Sequence, residues 1–258
     1  LVKDWGLPSH IKHFPGCNPV NLEKKDLEFL SQNKSEMLIS LKSDGIRYIC
    51  YMTTRPNTNI PVCIMIDRAK KMYEIEMWGN ENYYDGTILE GELLWQLPNG
   101  IKTTFLVFDI ICLKGENVTK KKYLERLTLV KNIICDPIIK KTNEEIEELL
   151  EENNSIISMN NMYNMKLEAK NFTSMEEVRK LWESRLNAQF RNDGIVITKS
   201  DESYKIGSGD LISYKWKPAV SIDVLVESDK LYANSNKSSE LEISHNFPFL
   251  NTPILSHI

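Results

Sequence analysis

The first residues that could do chemistry are a lysine and an arginine on either side of a tight turn. Residues 42–47 read K-S-D-G-I-R, and the β-branched and aromatic runs around them predict two strands. A lysine amine can attack the α-phosphorus of a nucleoside triphosphate once it has lost its proton, which burial near other cations favours. Arg47 would face the same cleft and bind oxygens of the nucleotide. An ordinary hairpin with solvated charges fits the same pattern.

A second pair of cations lies near the end of the chain, where residues 211–218 read L-I-S-Y-K-W-K-P. Side chains alternate across a strand, so Lys215 and Lys217 share one face while Tyr214 and Trp216 lie on the apolar opposite face. The two ammonium groups would stand roughly 7 Å apart and repel each other unless an anion lies above them. A triphosphate would serve, and a solvated edge strand is the alternative.

Four carboxylates in three segments of the chain complete the set of candidates. Glu90 and Glu92 share a strand face and could accept hydrogen bonds from ribose hydroxyls or hold a divalent metal. Asp109 interrupts an apolar strand beside Phe108, which could stack on a base, and buried carboxylates are rare unless they are paired or functional. Asp193 precedes a glycine at the mouth of another apolar strand, where it could bind a metal. Each motif taken alone also fits a structural role.

The elements that must position these residues read as a mixture of strands and helices. We expect a helix over residues 21–32 with Asn21 as its N-cap, and helices over 120–134 and after the capping box that begins at Ser174. The antiparallel strands are predicted at residues 38–41, 46–52, 61–66, 72–78, 87–95, 103–112, 194–198, 211–217 and 221–227. The acidic residues 143–154 predict a solvated helix and loop. This pattern indicates an α+β fold.

The composition excludes several classes of protein. The 258 residues are 41% hydrophobic, which is enough for a sizeable core. A net charge of −4 is unlike that of a dedicated duplex-binding protein. No apolar run approaches the ~20 residues that span a bilayer, so we expect a soluble intracellular protein.

Since the chain begins with Leu1, we expect it to be part of a longer protein. Scattered cysteines argue against zinc or disulfide frameworks: Cys17, Cys50, Cys63, Cys112 and Cys135.

Taken in order, these segments resemble the mRNA capping guanylyltransferases of the covalent nucleotidyltransferase superfamily. Residues 42–47 resemble the nucleophile motif of the family. Residues 90–93 resemble its carboxylate motif, and residues 105–109 resemble its base-stacking strand. Residues 193–196 and 215–218 resemble its last two motifs. DNA and RNA ligases share the K-x-D-G start. The capping enzymes are favoured by the F-P-G-x-x-P-V pattern of residues 14–20 and by Trp216 between the two lysines. The resemblance covers about residues 10–225.

The resemblance implies a nucleotidyltransferase domain over residues 1–219, built from antiparallel sheets flanked by helices. Residues 220–258 would be the start of an OB-fold domain, or a truncated one. No R-x-D-K motif follows in this region, although the family uses that motif to orient pyrophosphate. A chain without this lid is expected to bind GTP but to become nucleotidylated poorly.

The resemblance also implies a role for each candidate residue. Lys42 would form the Lys–GMP phosphoramidate. Asp193 would help to hold Mg²⁺ or Mn²⁺. Lys170, preferred to Lys166, would recognise guanine. The remaining contacts to GTP would be made by Arg47 and Glu92 to the ribose, Lys215 and Lys217 to the α-phosphate, and Phe108 and Val196 to the two faces of guanine.

The implied reaction transfers GMP from Lys42 to the 5′-diphosphate end of nascent mRNA and gives a GpppN cap. The other implied partners are an RNA triphosphatase and the phosphorylated tail of RNA polymerase II, with a nuclear location and no membrane partner. Two alternatives stay open at this point. An ATP-dependent polynucleotide ligase would carry adenylate on Lys42, and a catalytically idle relative would act as a scaffold, which the presence of Lys42, Lys215 and Lys217 argues against.

Overall fold

The computed structural model describes most of the chain up to Pro218 and three short strands beyond it. The described residues are 14, 16, 18–55, 60–75, 81–95, 103–135, 165–205, 213–218, 224–227, 230–233 and 241–242. The chain divides into two compact units, Leu1–Lys217 and Pro218–Ile258. The predictions for residues 76–78, 98–100, 143–154, 211–212 and 221–223 lie outside the described residues.

A five-stranded sheet, called here the first sheet, carries one wall of the first unit. Its strand order is β1-β12-β11-β2-β10, and every neighbouring pair is antiparallel except β1 with β12. Alternation along β2 and β11 sends Ile39 and Ile197 to one face and Ser40 and Val196 to the other. The strands are β1 (Val20–Asn21), β2 (Met37–Ser43), β10 (Thr173–Ser174), β11 (Asn192–Lys199) and β12 (Ser213–Trp216).

A seven-stranded sheet, the second sheet, carries the other wall. Its order is β5-β4-β3-β6-β7-β8, and β9 pairs with β7 in parallel. Both faces of this sheet bury apolar side chains, which is why its strands contain few charges. The strands are β3 (Ile46–Thr54), β4 (Pro61–Ile66), β5 (Met72–Ile75), β6 (Thr87–Trp95), β7 (Thr103–Leu113), β8 (Glu116–Asn117) and β9 (Lys166–Ala169).

Within the described residues, three α-helices cover the outer faces of the two sheets. α1 (Asp26–Gln32) and α3 (Val178–Ser184) pack on the first sheet, and α2 (Tyr123–Cys135) packs on the second sheet. Short 3-10 turns lie at Lys34–Glu36, Glu81–Tyr83, Met175–Glu177 and Arg185–Asn187. No helix among the described residues is long and apolar enough to cross a membrane. Among the described residues, Cys50, Cys63 and Cys112 are buried and form no disulfide.

The expected helix over residues 21–32 begins later than the sequence pattern predicts. Asn21 is not an N-cap, because it lies in β1 and pairs with Lys215 of β12. The next amide, that of Leu22, also donates to the Lys215 carbonyl, so this segment extends the first sheet instead. The helix starts at Asp26, whose carboxylate accepts from the backbone N–H of Glu23 at 2.8 Å. The predicted N-cap at Ser174 is confirmed, since its hydroxyl accepts from the Glu176 N–H. Glu177, the other residue of the predicted capping box, accepts from the Thr173 hydroxyl.

The Asp44-Gly45 turn joins two sheets and is not the tip of a hairpin. β2 pairs with β11 and β10, whereas β3 pairs with β4 and β6, so the chain crosses from the first sheet to the second at this turn. The Asp44 amide donates to the Arg191 carbonyl at 2.9 Å, which fixes the crossing. Lys42 and Arg47 therefore stand on different sheets. The hairpin alternative for this motif is wrong.

The second unit contains an antiparallel sheet in the order β13-β14-β15. Its strands are β13 (Val224–Glu227), β14 (Lys230–Ala233) and β15 (Leu241–Glu242), and Val224 pairs with Ala233. The interpretation of residues 220–258 as part of an OB-fold stays a prediction. The first unit confirms the α+β class, with largely antiparallel sheets flanked by helices.

Candidate active site

Side chains from both sheets line one interior cavity of about 450 Å³. This volume is within the range of small-molecule sites in proteins. The first sheet contributes its polar face, and the second sheet contributes β3, β6 and β7 together with the segment after β9. Most of the predicted site residues line the cavity, namely Lys42, Arg47, Glu92, Phe108, Lys170 and Val196.

Asp193 joins the candidate nucleophile to one of the two late lysines. Its two carboxylate oxygens form ion pairs, one with Lys42 Nζ at 2.8 Å and the other with Lys217 Nζ at 2.6 Å. Partial burial acts to raise the pKa of Asp193, but the hydrogen bonds from Lys217 and Lys42 outweigh it and lower this pKa. Asp193 is therefore ionised at neutral pH and holds two ammonium groups together. These three residues come from β2, β11 and the end of β12, which are neighbours in the first sheet.

Arg47 lies over a buried carboxylate on the second sheet. Its guanidinium donates to Glu90 Oε1 through Nε at 2.7 Å and also through Nη2. Burial raises the pKa of Glu90, although the Arg47 charge opposes this effect. The other oxygen of Glu90 accepts from the Tyr204 hydroxyl at 2.8 Å. Glu90 is therefore engaged within the protein, and Glu92, the other carboxylate of this strand, lines the same cavity.

The F-P-G-x-x-P-V segment packs against this ion pair. The Arg47 guanidinium lies 5.5 Å from the centroid of the Phe14 ring and donates to Asn18 Oδ1 at 3.2 Å. A Cβ at position 16 would overlap the Arg47 guanidinium and the Glu90 carboxylate, so only glycine permits this approach. Gly16 is thus required by a contact with residues more than thirty positions away.

Ser43 connects Glu92 with Lys170. Its hydroxyl donates to Glu92 Oε2 at 2.6 Å and accepts from Lys170 Nζ at 3.1 Å. Burial lowers the pKa of Lys170 to about 8, so its ammonium group is still mostly charged at pH 7. Lys166 is exposed and pairs with Glu168 outside the cavity. The geometry therefore favours Lys170 over Lys166 as a ligand for a bound base.

Phe108 and Val196 line the cavity from different sheets, Phe108 from β7 and Val196 from β11. The Phe108 ring lies 5.5 Å from the Arg47 guanidinium carbon and 5.7 Å from Lys170 Nζ. An aromatic base between them would stack on the ring and meet the lysine at its edge. Ser40, on the cavity wall beside them, has a buried hydroxyl without a hydrogen-bond partner among the described residues.

The β12 strand follows the predicted alternation where it is described. Ser213 lines the cavity, whereas Tyr214 packs on the apolar core of the first sheet. The Trp216 ring meets the Trp182 ring of α3 with centroids 4.5 Å apart. Lys215 is part-buried and pairs with Val196 across the sheet, and Lys217 contacts Asp193. The assignment of both lysines to the α-phosphate stays a prediction.

A second buried ion pair lies at the far side of the cavity. Arg126 of α2 donates to both oxygens of Asp109, through Nε at 2.7 Å and Nη2 at 3.1 Å. Its Nη1 donates to the carbonyls of Lys121 and Glu202. The sequence signal for this pair was Asp109 itself, an acidic residue within an apolar strand. Arg126, Tyr123 and Tyr204 were not predicted, because nothing in their local pattern distinguishes them from ordinary helix and loop residues.

The chain matches the family described as mRNA capping enzyme, catalytic domain, over residues 6–219. The chain belongs to that family. It is 28% identical over 217 residues to the mRNA-capping enzyme subunit alpha of Schizosaccharomyces pombe, covering 80% of this chain and 50% of the relative. It is 26% identical over 230 residues to the mRNA-capping enzyme of Caenorhabditis elegans, covering 84% of this chain and 34% of the relative.

The chain therefore spans half or less of the length of these two capping relatives, at 50% and 34%. Among solved structures it is similar to the ATP-dependent DNA ligase from bacteriophage T7 in complex with ATP, with a TM-score of 0.49 and 14% identity. That likeness covers 90% of this chain and 81% of the ligase. It is too distant to bear on function, and the family rests on the sequence match alone.

Proposed function

We propose that this chain is the guanylyltransferase part of an mRNA capping enzyme, which carries GMP on Lys42 and transfers it to the 5′-diphosphate end of RNA. The observation that carries this proposal is the position of Lys42 in a cavity that is also lined by an aromatic ring, an apolar side chain and a buried lysine. Lys42 Nζ lies 2.8 Å from the Asp193 carboxylate, and Phe108, Val196 and Lys170 line the same cavity. Membership of the capping family supports it.

GTP would bind with guanine between Phe108 and Val196. Lys170 would donate to the O6 acceptor of guanine, which adenine replaces with a donor amine, so the same lysine would favour GTP over ATP. Arg47 and Glu92 would contact the ribose, with Glu92 held in place by Ser43. Lys215 and Lys217 would bind the α-phosphate.

In the first step the Lys42 ammonium group would release one proton to solvent, and the neutral amine would attack the α-phosphorus of GTP. The Nζ–P bond forms as the bond between the α-phosphorus and the bridging oxygen breaks, and pyrophosphate leaves with that electron pair. The amine loses a proton, and the Asp193 carboxylate is placed to accept it. Lys217 would move from Asp193 to the phosphate, because the arriving anion carries more charge than the carboxylate.

The donor set also fits Mg²⁺ or Mn²⁺. Magnesium is commonly bound by one or two carboxylates together with substrate phosphates and water, and Asp193 offers one such carboxylate. Within the described residues no group of three potential metal ligands exists, so a metal would have to share its coordination with the triphosphate. When bound there, the ion would neutralise the charge of the phosphates.

In the second step the terminal oxygen of a 5′-diphosphate RNA would attack the phosphorus of Lys42–GMP and release the lysine, giving a GpppN cap. An RNA triphosphatase would supply the diphosphate end, the phosphorylated tail of RNA polymerase II would present the nascent transcript, and the reaction would take place in the nucleus. The net charge of −4 suits a protein that touches only an RNA end.

The test is covalent labelling with GTP or ATP that carries a radioactive α-phosphate, followed by a denaturing gel. We expect label from GTP in the presence of Mg²⁺ or Mn²⁺, and none in Lys42→Ala. Lys25→Ala is the matched control, because the Lys25 side chain is 75% exposed and does not line the cavity. Its labelling should equal that of the unsubstituted chain.

Label from ATP but not from GTP would refute capping in favour of a polynucleotide ligase. Label that survives in Lys42→Ala would refute the assignment of the nucleophile. GTP affinity is measured in parallel by equilibrium binding. Tight GTP binding without label is the outcome expected of a chain without the lid, and it would refute nucleotidylation by this chain alone. The absence of both would favour an idle scaffold.

A further inference from the structure

Phe108 is the extra residue of a β-bulge. Along the β6–β7 pairing, Glu90 lies opposite Asp109, but the next residue, Gly91, lies opposite Val107, so Phe108 has no partner in the ladder. Without the bulge, Asp109 would share a face with Val107 in the core of the second sheet. With it, Phe108 and Asp109 both line the interior cavity. The bulge thus determines where the Phe108 ring points.

A bulged residue keeps backbone groups that the ladder leaves unpaired and that must be satisfied elsewhere. Tyr123, the first residue of α2, supplies such a partner, because its hydroxyl donates to the Phe108 carbonyl at 3.0 Å. Burial raises the pKa of Tyr123 well above its ordinary value, so the hydroxyl remains a donor at every physiological pH. Its ring also meets the Phe172 ring edge-on, with centroids 5.5 Å apart.

The residue after the bulge is held from the same helix. Arg126, one turn along α2 from Tyr123, donates hydrogen bonds to both carboxylate oxygens of Asp109 at 2.7 and 3.1 Å. Bidentate pairs of this kind fix orientation as well as position. Arg126 also donates to the Glu202 carbonyl, two residues before Tyr204, whose hydroxyl holds Glu90 opposite the bulge. Both sides of the bulge are therefore tied to α2.

We propose that Tyr123 and Arg126 are positioning residues that hold the Phe108 bulge in the geometry that stacks on the guanine base. The inference rests on the proposed function, because it takes Phe108 as the stacking residue. Both side chains line the cavity themselves, but the positioning role does not require them to contact the nucleotide. Their effect reaches GTP through the Phe108 backbone and the Asp109 carboxylate, so affinity for the base should depend on them while affinity for the phosphates should not.

The test compares the affinities of the full chain for GTP and for inorganic tripolyphosphate, which lacks the base. We expect Tyr123→Phe to weaken GTP binding about three- to tenfold, the loss of one hydrogen bond, and to leave tripolyphosphate binding unchanged. Tyr84→Phe is the matched control, since the Tyr84 hydroxyl is buried against Cys63 in the core and lies outside the cavity. It should change neither affinity. Arg126→Lys keeps the charge but cannot form the bidentate pair with Asp109. It should likewise weaken GTP binding and leave tripolyphosphate binding unchanged.

A double-mutant cycle with Phe108→Ala decides whether Tyr123 acts through the ring. We expect Tyr123→Phe to cost nothing further once the ring is gone. Equal losses for GTP and tripolyphosphate, or full additivity with Phe108→Ala, would overturn the positioning role. The same holds if Phe108→Ala weakens GTP binding but neither Tyr123→Phe nor Arg126→Lys does. If Phe108→Ala itself leaves GTP binding intact, the base site of the proposed function fails and this inference fails with it.

Discussion

The buried pair between Arg126 and Asp109 should contribute far more to stability than the exposed pair between Arg55 and Glu74. The Arg126 and Asp109 side chains are 3% and 9% exposed, against 45% and 46% for Arg55 and Glu74. Breaking a buried pair leaves an uncompensated charge and costs about 3–5 kcal/mol, whereas an exposed pair contributes about 0–1 kcal/mol. The two arginines therefore form a natural comparison of the same interaction in two environments.

We expect Arg126→Met to lower the free energy of unfolding by about 3–5 kcal/mol, which lowers Tm by about 6–20 °C for a unit of this size. Arg55→Met should shift the free energy of unfolding by less than about 1 kcal/mol. Urea denaturation and thermal melting measure both. Adding Asp109→Leu to Arg126→Met should recover about half of the loss, because the stranded carboxylate is removed. Similar losses from the two arginine substitutions, or no recovery in the double variant, would refute the reasoning.

Three further predictions concern the nucleotide site and the sheet beneath it. The Kd for GTP should be constant below about pH 7 and rise by up to about tenfold as the pH passes through about 8, because Lys170 loses its proton. Equilibrium binding with Lys170→Arg should remove this rise, and a rise that persists in the variant would contradict the assignment. Ser43→Ala should weaken GTP binding about tenfold, because it removes the hydroxyl that hydrogen-bonds to both Glu92 and Lys170. Ser174→Ala, at a turn outside the cavity, should leave GTP binding unchanged. Gly194→Ala should destabilise the chain by more than about 2 kcal/mol in urea denaturation, because its Cβ would overlap a carbonyl of β12. Gly115→Ala also has a positive φ, but its Cβ would lie 3.7 Å from the nearest atom, so equal losses would exclude the overlap as the cause.

The family and its order of motifs could be predicted from the sequence. Short motifs carry their chemistry within a few residues, so Lys42, Glu92 and Asp193 could be chosen without a structure. The alternation of Tyr214 and Trp216 against Lys215 followed from the period of two of a strand, and the structure keeps it. For the guanine-binding lysine, the sequence left two candidates between β7 and β11. The structure distinguishes them, because Lys170 is buried and Lys166 is exposed.

The sequence by itself determined which residue types stand in which order, and therefore the family, the longer strands and a set of candidate site residues, most of which line the cavity. Tertiary structure alone decided that Asp44-Gly45 crosses between sheets and that Phe108 bulges out of β7. It also decided that Glu90 accepts hydrogen bonds from Arg47 and Tyr204. Local periodicity reports on neighbours a few residues apart. Contacts such as that of Tyr204 with Glu90, 114 positions away, depend on how the sheets and α2 pack, and no local pattern encodes that packing.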